Sequence, residues 1–137
     1  MTPPSGRFLL DTNIVIALLA GDGSVLSNLG RAAEVFLPAV VLGELFFGAA
    51  KSARPAENAA KVDRLAASSR IVPCDLEVAR EFGLVKQQLQ QKGRPLPEND
   101  IWIAAAAICH DMVLVTRDRH FVQVEGLTTT DWAPSVS

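Results

Sequence analysis

The sequence contains no run of about 18 apolar residues, the length that a membrane-spanning helix requires. The most apolar N-terminal stretch, FLLDTNIVIALLAG at 8–21, is interrupted by Asp11 and Asn13. Only Arg7 precedes it as a basic residue, and no clear signal-peptidase site follows it. We therefore predict a cytoplasmic protein with no membrane span and no export signal.

The sequence also has few cysteines and no excess of positive charge. The two cysteines, Cys74 and Cys109, are not spaced as metal ligands, which favours two reduced and buried thiols in a cytosolic protein. The net charge is -2 and the isoelectric point is about 5.6, so the overall charge does not predict a nucleic-acid partner. Any contact with phosphate requires a local basic patch.

The 137 residues, 49% hydrophobic and 20% charged, fit one globular domain with a single core. We find no internal repeat and no low-complexity segment. The expected domain is 1–137, with 1–6 and 133–137 as loose termini.

Short apolar segments alternate with helical patterns along the chain. Strands are predicted at 7–10, 35–37, 70–73, 112–116 and 127–130, and helices at 13–20, 24–33, 39–51, 55–69, 76–91 and 98–111. Ser24 and Asp75 are expected to cap helices, and Pro38 to occupy the first position of one. This alternation predicts a parallel sheet with helices on both faces, and ligands bind at the carboxyl ends of such strands.

Four acidic residues occur where a charged group is unexpected. Asp11 follows the first strand amid core residues, and Asp118 follows the strand at 112–116. Glu44 shares its helical face with apolar or small residues, and Asp100 points along the apolar side of its helix. A buried charge is costly unless it is paired, neutralised or bound to a metal.

Each of these acids also has an ordinary structural explanation. Asp11 can cap the following helix, and Glu44 can lie exposed at the edge of an apolar face. Asp100 can interact with the helix dipole, and Asp118 can be a turn or cap residue. The occurrence of all four favours one shared site.

Four converging carboxylates would require protons or cations between them. Two unit charges 4 Å apart repel by about 4 kcal/mol at an effective dielectric constant near 20. Oxygen ligands without histidine or cysteine select hard ions such as Mg²⁺ or Mn²⁺ rather than Zn²⁺. Such ions activate water and stabilise the oxygens of phosphodiester hydrolysis.

The segments LLDTN, GEL after LPAVVL, ENDIWIAA and LVTRDRHF together resemble a PIN domain, and more closely the VapC-type toxins of bacterial toxin–antitoxin pairs. The resemblance extends from Arg7 to Trp132. It implies a three-layer α/β/α fold with a short central parallel sheet, and a Mg²⁺- or Mn²⁺-dependent endoribonuclease acting on RNA. It also implies a homodimer held inactive by a VapB-type antitoxin, whose tail enters the acidic site.

The resemblance further implies a role for individual residues. The metal-binding and catalytic set is Asp11, Glu44, Asp100 and Asp118, and the supporting hydrogen-bonding set is Thr12, Asn13 and Thr116.

Other residues near these motifs have less defined roles. Candidates for RNA phosphate contacts are Lys92, Arg94, Arg117 and Arg119, although each could belong to a solvated charged loop. His120 is either a general acid or base or a structural residue under its loop. Trp102 and Trp132 are expected to pack in the core or an interface. The first two helices and the helix at 55–69 are candidate surfaces for a dimer or antitoxin.

Two alternative functions differ in class from a nuclease. A haloacid-dehalogenase-like phosphatase needs a second aspartate where this chain has Asn13, and a receiver-type phosphoacceptor needs adjacent acids after its first strand. The other alternative is a catalytically silent PIN-like module that binds RNA or a protein. The complete acidic set favours the nuclease.

Overall fold

The computed structural model describes residues 6–134, in which strands and helices alternate. The elements are β1 (Arg7–Leu10), α1 (Thr12–Leu19), α2 (Gly23–Arg31), β2 (Glu34–Pro38), α3 (Ala39–Ala50), α4 (Pro55–Ala67), β3 (Arg70–Val72), α5 (Leu76–Lys92), α6 (Glu98–Cys109), β4 (Val113–Val115), a 3₁₀ helix (Arg119–Gln123) and β5 (Thr129–Thr130). All the predicted strands and helices are present, with ends shifted by a few residues. Of the termini expected to be loose, 1–5 and 135–137 lie outside the described residues.

The five strands form one parallel sheet in the order β3-β2-β1-β4-β5. The direction of strand addition reverses between β1 and β4. Because connections between parallel strands are right-handed, α1–α4 lie on one face and α5 and α6 on the other. The predicted three-layer α/β/α fold with a short central parallel sheet is confirmed.

The central strands and α6 form the middle of the core. Leu9 of β1 and Leu114 of β4 are fully buried. On α6 the alanines at 104–107 are also buried, since side chains of this size allow the helix to pack closely. This packing fixes the start of α6, which carries Asp100, relative to the sheet.

Two predictions about helix starts were wrong in detail. Asp22, not Ser24, caps α2, because its Oδ1 accepts hydrogen bonds from the backbone N–H groups of Ser24 (3.0 Å) and Val25 (3.1 Å). Pro38 ends β2 and immediately precedes α3, so it is not the first helical residue. The predicted cap at Asp75 is confirmed by a hydrogen bond of 3.1 Å from the N–H of Val78.

The prediction of two buried thiols was wrong for Cys74. Cys74 is exposed and Cys109 is partly buried, and both are free. Cys74 lies in the short connection that leaves the edge strand β3, and connections of this kind run over the surface.

The tryptophans pack as predicted. The ring of Trp102 stacks on Phe82 with a centroid distance of 4.1 Å, and Trp132 packs against Phe8 at 5.4 Å. Within 6–134, no single helix is long and apolar enough to cross a membrane; α1 and α2 meet the criterion only as a pair bent by 106°.

Candidate active site at the carboxyl edge of the sheet

The reversal of strand order brings Asp11 and Thr116 together. Asp11 directly follows β1, and Thr116 directly follows the adjacent strand β4. The backbone N–H of Asp11 donates to the carbonyl oxygen of Val115 over 2.9 Å, which continues the pairing of the two strands. In open α/β sheets, ligands bind in the crevice at this kind of reversal.

The carboxylate of Asp11 is buried and held by three donors. Its Oδ1 accepts the backbone N–H of Thr12 at 2.8 Å, while its Oδ2 accepts the hydroxyl of Thr116 at 2.7 Å and the amide of Asn13 at 3.4 Å. Burial raises the pKa of Asp11, and the hydrogen bonds from Thr116 and Thr12 oppose that rise. Asp11 therefore caps α1, as the ordinary explanation predicts, and also contributes an oriented carboxylate to this edge.

A second set of hydrogen bonds connects Asp11 to the segment after β4. The hydroxyl of Thr116 accepts the backbone N–H of Asp118 at 3.0 Å while donating to Asp11. The side-chain oxygen of Asn13 accepts the backbone N–H of Arg117 at 3.2 Å. Thr116 and Asn13 thus lie where a supporting role for the acidic residues requires them.

We predict that Thr116→Val weakens the binding of divalent cations about tenfold. Valine preserves the shape of the side chain but removes both the donor to Asp11 and the acceptor for the Asp118 N–H, and groups that orient metal ligands have effects of this size. Calorimetric titration with Mn²⁺ measures the change. Thr128→Val, at an exposed threonine before β5, is the matched control. Unchanged Mn²⁺ affinity in Thr116→Val would contradict the supporting role.

The other three acids approach Asp11 from separate elements. Glu44 lies on α3, Asp100 in the first turn of α6, and Asp118 between β4 and the 3₁₀ helix. Burial is the largest cause of the raised pKa of Asp100, about 6, and the charges of Asp11, Asp118 and Glu44 add to it. The charges of the other three predicted acids therefore all act on Asp100.

Glu44 has an oxygen that the protein does not satisfy. Among residues 6–134, its Oε1 and the hydroxyl oxygen of Thr12 are buried without a hydrogen-bond partner, as is Nε2 of His110 at the other end of α6. Burial raises the pKa of Glu44; nearby Thr12 lowers it, and the charge of Asp11 raises it further. Buried polar atoms without a partner are rare in folded proteins. A cation, or a water molecule bound to one, is a group that would satisfy them.

The donor set fits a hard divalent cation. All four acids carry carboxylate oxygens, and Mg²⁺ commonly binds one or two carboxylates while keeping several of its waters. Within residues 6–134, however, no group of three or more Asp, Glu, His or Cys side chains is arranged so that it could hold a metal ion. A cation bound here would take most of its ligands from water or substrate, and cation binding by the four acids stays a prediction.

Raising the pH should destabilise the metal-free protein through Asp100. Its folded pKa of about 6 exceeds the ordinary value of 3.8. Between these values the unfolded chain loses the proton first, so this contribution to stability is present below about pH 4 and is lost by about pH 6. Asp100→Asn should raise the free energy of unfolding at pH 7 by about 1–2 kcal/mol, because solvent screens part of the charge of this partly exposed residue.

Denaturant unfolding in EDTA at several pH values tests this expectation. The slope of stability against pH should be smaller in Asp100→Asn than in the wild type, although Asp11 and Glu44 still contribute. Glu77→Gln, a neutralisation at an exposed position in the first turn of α5, is the control. Equal slopes in the wild type and Asp100→Asn would show that Asp100 does not carry the effect.

His120 contacts Asp118 and does not lie under its loop. Both the backbone N–H and the ring Nδ1 of His120 approach Oδ1 of Asp118, at 2.9 and 2.8 Å. The side chain of His120 is 81% exposed, so the interpretation as a residue packed beneath the loop was wrong. Its ring instead lies at the solvent side of the acidic group.

The predicted basic residues occupy different environments. Lys92 donates to the carbonyl oxygen of Gln123 at 3.0 Å and forms an ion pair with Glu125 at 3.4 Å. Arg94 is exposed in the connection between α5 and α6, and Arg119 is exposed next to Asp118. Of these three, Lys92 already has protein partners.

Arg117 has a partner that was not predicted from the sequence. Its guanidinium lies 3.3 Å from Asp22. The hydroxyl of Ser24 and the N–H of Val25, with a smaller effect of Arg117, lower the pKa of Asp22 to about 2. The segment GDG at 21–23 predicts only the end of a helix, and no local pattern reveals a contact with a residue 95 positions away.

An apolar groove also opens next to the acidic cluster. It has a volume of about 510 Å³ and lies between α1, α3 and α4. Thr12 and Glu44 lie at one part of its wall, and Ile16 and Leu19 expose 55% and 49% of their surfaces there. Of the predicted candidate surfaces, the first helix and the helix at 55–69 line this groove as α1 and α4, together with α3, and their use as an interface stays a prediction.

Known proteins resemble this chain over nearly its full length. The PIN domain family matches residues 8–127. Ribonuclease VapC2 of Haemophilus influenzae is 33% identical, covering 92% of this chain and 98% of the relative. The tRNA(fMet)-specific endonuclease VapC of Shigella flexneri is 31% identical, covering 93% and 98%. VapBC2 from Rickettsia felis, solved bound to a DNA fragment from its promoter, matches with a TM-score of 0.86 and 28% identity, covering 93% of this chain and 99% of that chain.

Proposed function

The chain belongs to the PIN domain family and, within it, to the VapC ribonucleases, and on this premise we propose that it is the endoribonuclease toxin of a type II toxin–antitoxin pair. The site of RNA phosphodiester hydrolysis is the group of Asp11, Glu44, Asp100 and Asp118, acting with Mg²⁺ or Mn²⁺. The observation that supports this assignment most directly is the mutual electrostatic effect of these four acids where the strand order reverses. We also propose a cytoplasmic location, where RNA substrates are present.

Each of the acids would have a separate role in binding and orienting the cation. Asp11, fixed by Thr12 and Thr116, presents a carboxylate in one orientation, and Glu44 contributes its unpartnered oxygen from α3. Asp100, whose pKa burial raises to about 6, would hold a proton over part of the near-neutral range and would give it up to bind a cation. A bound divalent cation lowers the pKa of its water and stabilises charge on the phosphodiester oxygens.

Cleavage of total bacterial RNA with Mn²⁺ or Mg²⁺ tests the nuclease. Discrete fragments that disappear with EDTA are expected, and their ends identify the substrate. Mn²⁺ binding and RNA binding without any cleavage would instead favour the catalytically silent PIN-like module.

We further propose that the apolar groove binds a VapB-type antitoxin. Its exposed Ile16 and Leu19 offer an apolar surface, and Lys61 lies elsewhere on its wall. The groove includes Glu44, so an apolar antitoxin segment bound there could place a following basic residue among the carboxylates. Such a complex would block both cation and RNA binding.

We propose a homodimer on the resemblance together with the exposed apolar residues of α5 and β3. Ile71, Leu76 and Leu84 expose 43%, 63% and 62% of their surfaces and do not line the groove. Light scattering tests this assembly, since a dimer has twice the chain mass of 14.7 kDa.

A further inference from the structure

A second cavity borders the acidic residues and differs in character from the apolar groove. Its volume is about 420 Å³, within the ~300–1,000 Å³ range of small-molecule sites. It is formed by the ends of β4 and β5 and by the 3₁₀ helix. We call it the β5 cleft, and it is lined by Thr116, Arg117, Asp118, Arg119, Val122, Thr129, Thr130 and Asp131. It shares Asp118 and Thr116 with the candidate active site, whereas the groove shares Glu44 and Thr12.

The two arginines of the β5 cleft are not equivalent. The guanidinium of Arg117 pairs with Asp22 at 3.3 Å and donates to the carbonyl oxygen of Asp131 at 3.4 Å. Its backbone N–H donates to Asn13, which in turn contacts Asp11. The hydrogen bonds of Arg117 therefore connect the segment after β4 with α1, with the start of α2 and with the end of β5.

Arg119 is exposed and forms no side-chain hydrogen bond or ion pair with residues 6–134. The two acids of the cleft have other contacts: Asp118 accepts from His120, and Asp131 accepts the N–H of Ala133 at 3.0 Å. As far as residues 6–134 are concerned, the guanidinium of Arg119 is thus the positive group of the cleft left available for a ligand. Its planar array of donors matches the oxygens of a phosphate.

The remaining lining suits a nucleotide of single-stranded RNA. Thr129 is exposed in β5 and offers a hydroxyl that can bond to ribose, base or phosphate. Val122 exposes 70% of its surface and offers an apolar contact for an unstacked base. The combination of the Arg119 guanidinium, the Thr129 hydroxyl and the apolar Val122 side chain favours RNA over an apolar protein segment.

We propose that the β5 cleft is the subsite for the nucleotide adjacent to the scissile phosphodiester, with Arg119 binding the neighbouring phosphate. Arg117 is a positioning residue, which keeps Asp118 and Asn13 in place without contacting RNA. This assignment rests on the proposed ribonuclease function and adds to it the side of the acidic cluster along which the substrate runs.

The test compares Arg119→Ala, Arg119→Lys and Arg117→Ala with the wild type. Binding of a short, labelled single-stranded RNA of random sequence is measured in EDTA at several salt concentrations, and cleavage is measured with Mn²⁺. Arg80→Ala is the matched control, because Arg80 is exposed on α5 and lies far from the acidic cluster. Besides burial, its neighbours Glu77 and Glu81 act on the pKa of Cys109, which is at the opposite end of α6 from Asp100.

Arg119→Ala should bind RNA about three- to tenfold more weakly. The slope of log affinity against log salt should fall by about 0.7, the value for one phosphate contact on a single strand. Its KM should rise by a similar factor while kcat stays within about twofold, because uniform binding is lost. Arg119→Lys should retain most of the salt slope, and Arg80→Ala should match the wild type.

Arg117→Ala should behave differently, with a lower kcat and a lower melting temperature but a nearly unchanged salt slope. If the wild type cuts RNA and Arg119→Ala matches it in salt slope and KM, the subsite is wrong while the nuclease stands. Equal losses in Arg119→Ala and Arg80→Ala would also overturn it, since the effect would then be general charge. A wild type that neither binds nor cuts RNA would remove the proposed function itself.

Discussion

Asp11→Asn is expected to lower the rate of RNA cleavage at least about 100-fold. Asp11 is the most buried of the four acids, with 5% of its surface exposed, and the protein fixes both of its oxygens. Replacing one oxygen by an NH₂ group removes the charge that would hold the cation. A cation of this kind provides several kcal/mol of transition-state stabilisation, and each 1.36 kcal/mol corresponds to a factor of ten in rate.

The variant should remain folded, because asparagine can keep most of the hydrogen bonds. Its carbonyl oxygen can accept the N–H of Thr12, and its amide can donate to the hydroxyl oxygen of Thr116. Burial raises the pKa of Asp11, so a neutral side chain avoids the cost of desolvating a charge. The melting temperature in EDTA should therefore equal or exceed that of the wild type.

Single-turnover cleavage of total RNA, together with thermal unfolding, measures both effects. Asp63→Asn, at an exposed position of α4, makes the same chemical change away from the site and should cut normally. An Asp11→Asn protein that cuts RNA at the wild-type rate would place the reaction elsewhere in the chain.

Much of the fold and the position of two acids could be predicted because they follow from local patterns. Apolar runs such as 7–10 and 112–116 have few structural options between their polar ends, and parallel strands align their carboxyl ends at one edge. Asp11 and Asp118 each follow one of those runs, so their proximity required only that β1 and β4 be neighbours. The structure shows that these strands are paired.

The differences among the basic residues could not be predicted in this way. Arg117 and Arg119 are alternate residues of one short segment, and only the first meets Asp22 and the end of β5. Lys92 looks as available as Arg119 in the sequence, but it contacts Gln123 and Glu125. Such distinctions depend on the direction of long side chains between distant elements, and hydrophobic periodicity does not specify that direction.

The two cavities suggest how one acidic cluster can serve both substrate and inhibitor. The β5 cleft reaches it through Asp118 and Thr116 and is lined by polar groups, while the apolar groove reaches it through Glu44 and Thr12. RNA and antitoxin would therefore approach along different surfaces and compete mainly at the carboxylates. Substitutions in the groove should then affect inhibition without changing cleavage.

The double substitution Ile16→Asp/Leu19→Asp is expected to weaken antitoxin binding at least about 100-fold while cleavage by the free chain stays unchanged. Each side chain is about half exposed on α1, so an antitoxin segment would bury a substantial apolar surface on both. Full burial of such a side chain stabilises by about 1.5–3 kcal/mol, and the new carboxylates would have to be desolvated as well. A factor of 100 requires about 2.7 kcal/mol.

Calorimetry with a VapB-type antitoxin that inhibits the wild type measures the affinity, and inhibition of cleavage by the same antitoxin gives a second measurement. Leu26→Asp on α2 is the control, since Leu26 is 46% exposed and does not line the groove. Unchanged inhibition of the double variant would exclude the groove as the antitoxin site. A loss of similar size in Leu26→Asp would instead place the interface on α2. Ile16 and Leu19 do not line the β5 cleft. Their substitution should therefore relieve inhibition by the antitoxin without weakening RNA binding.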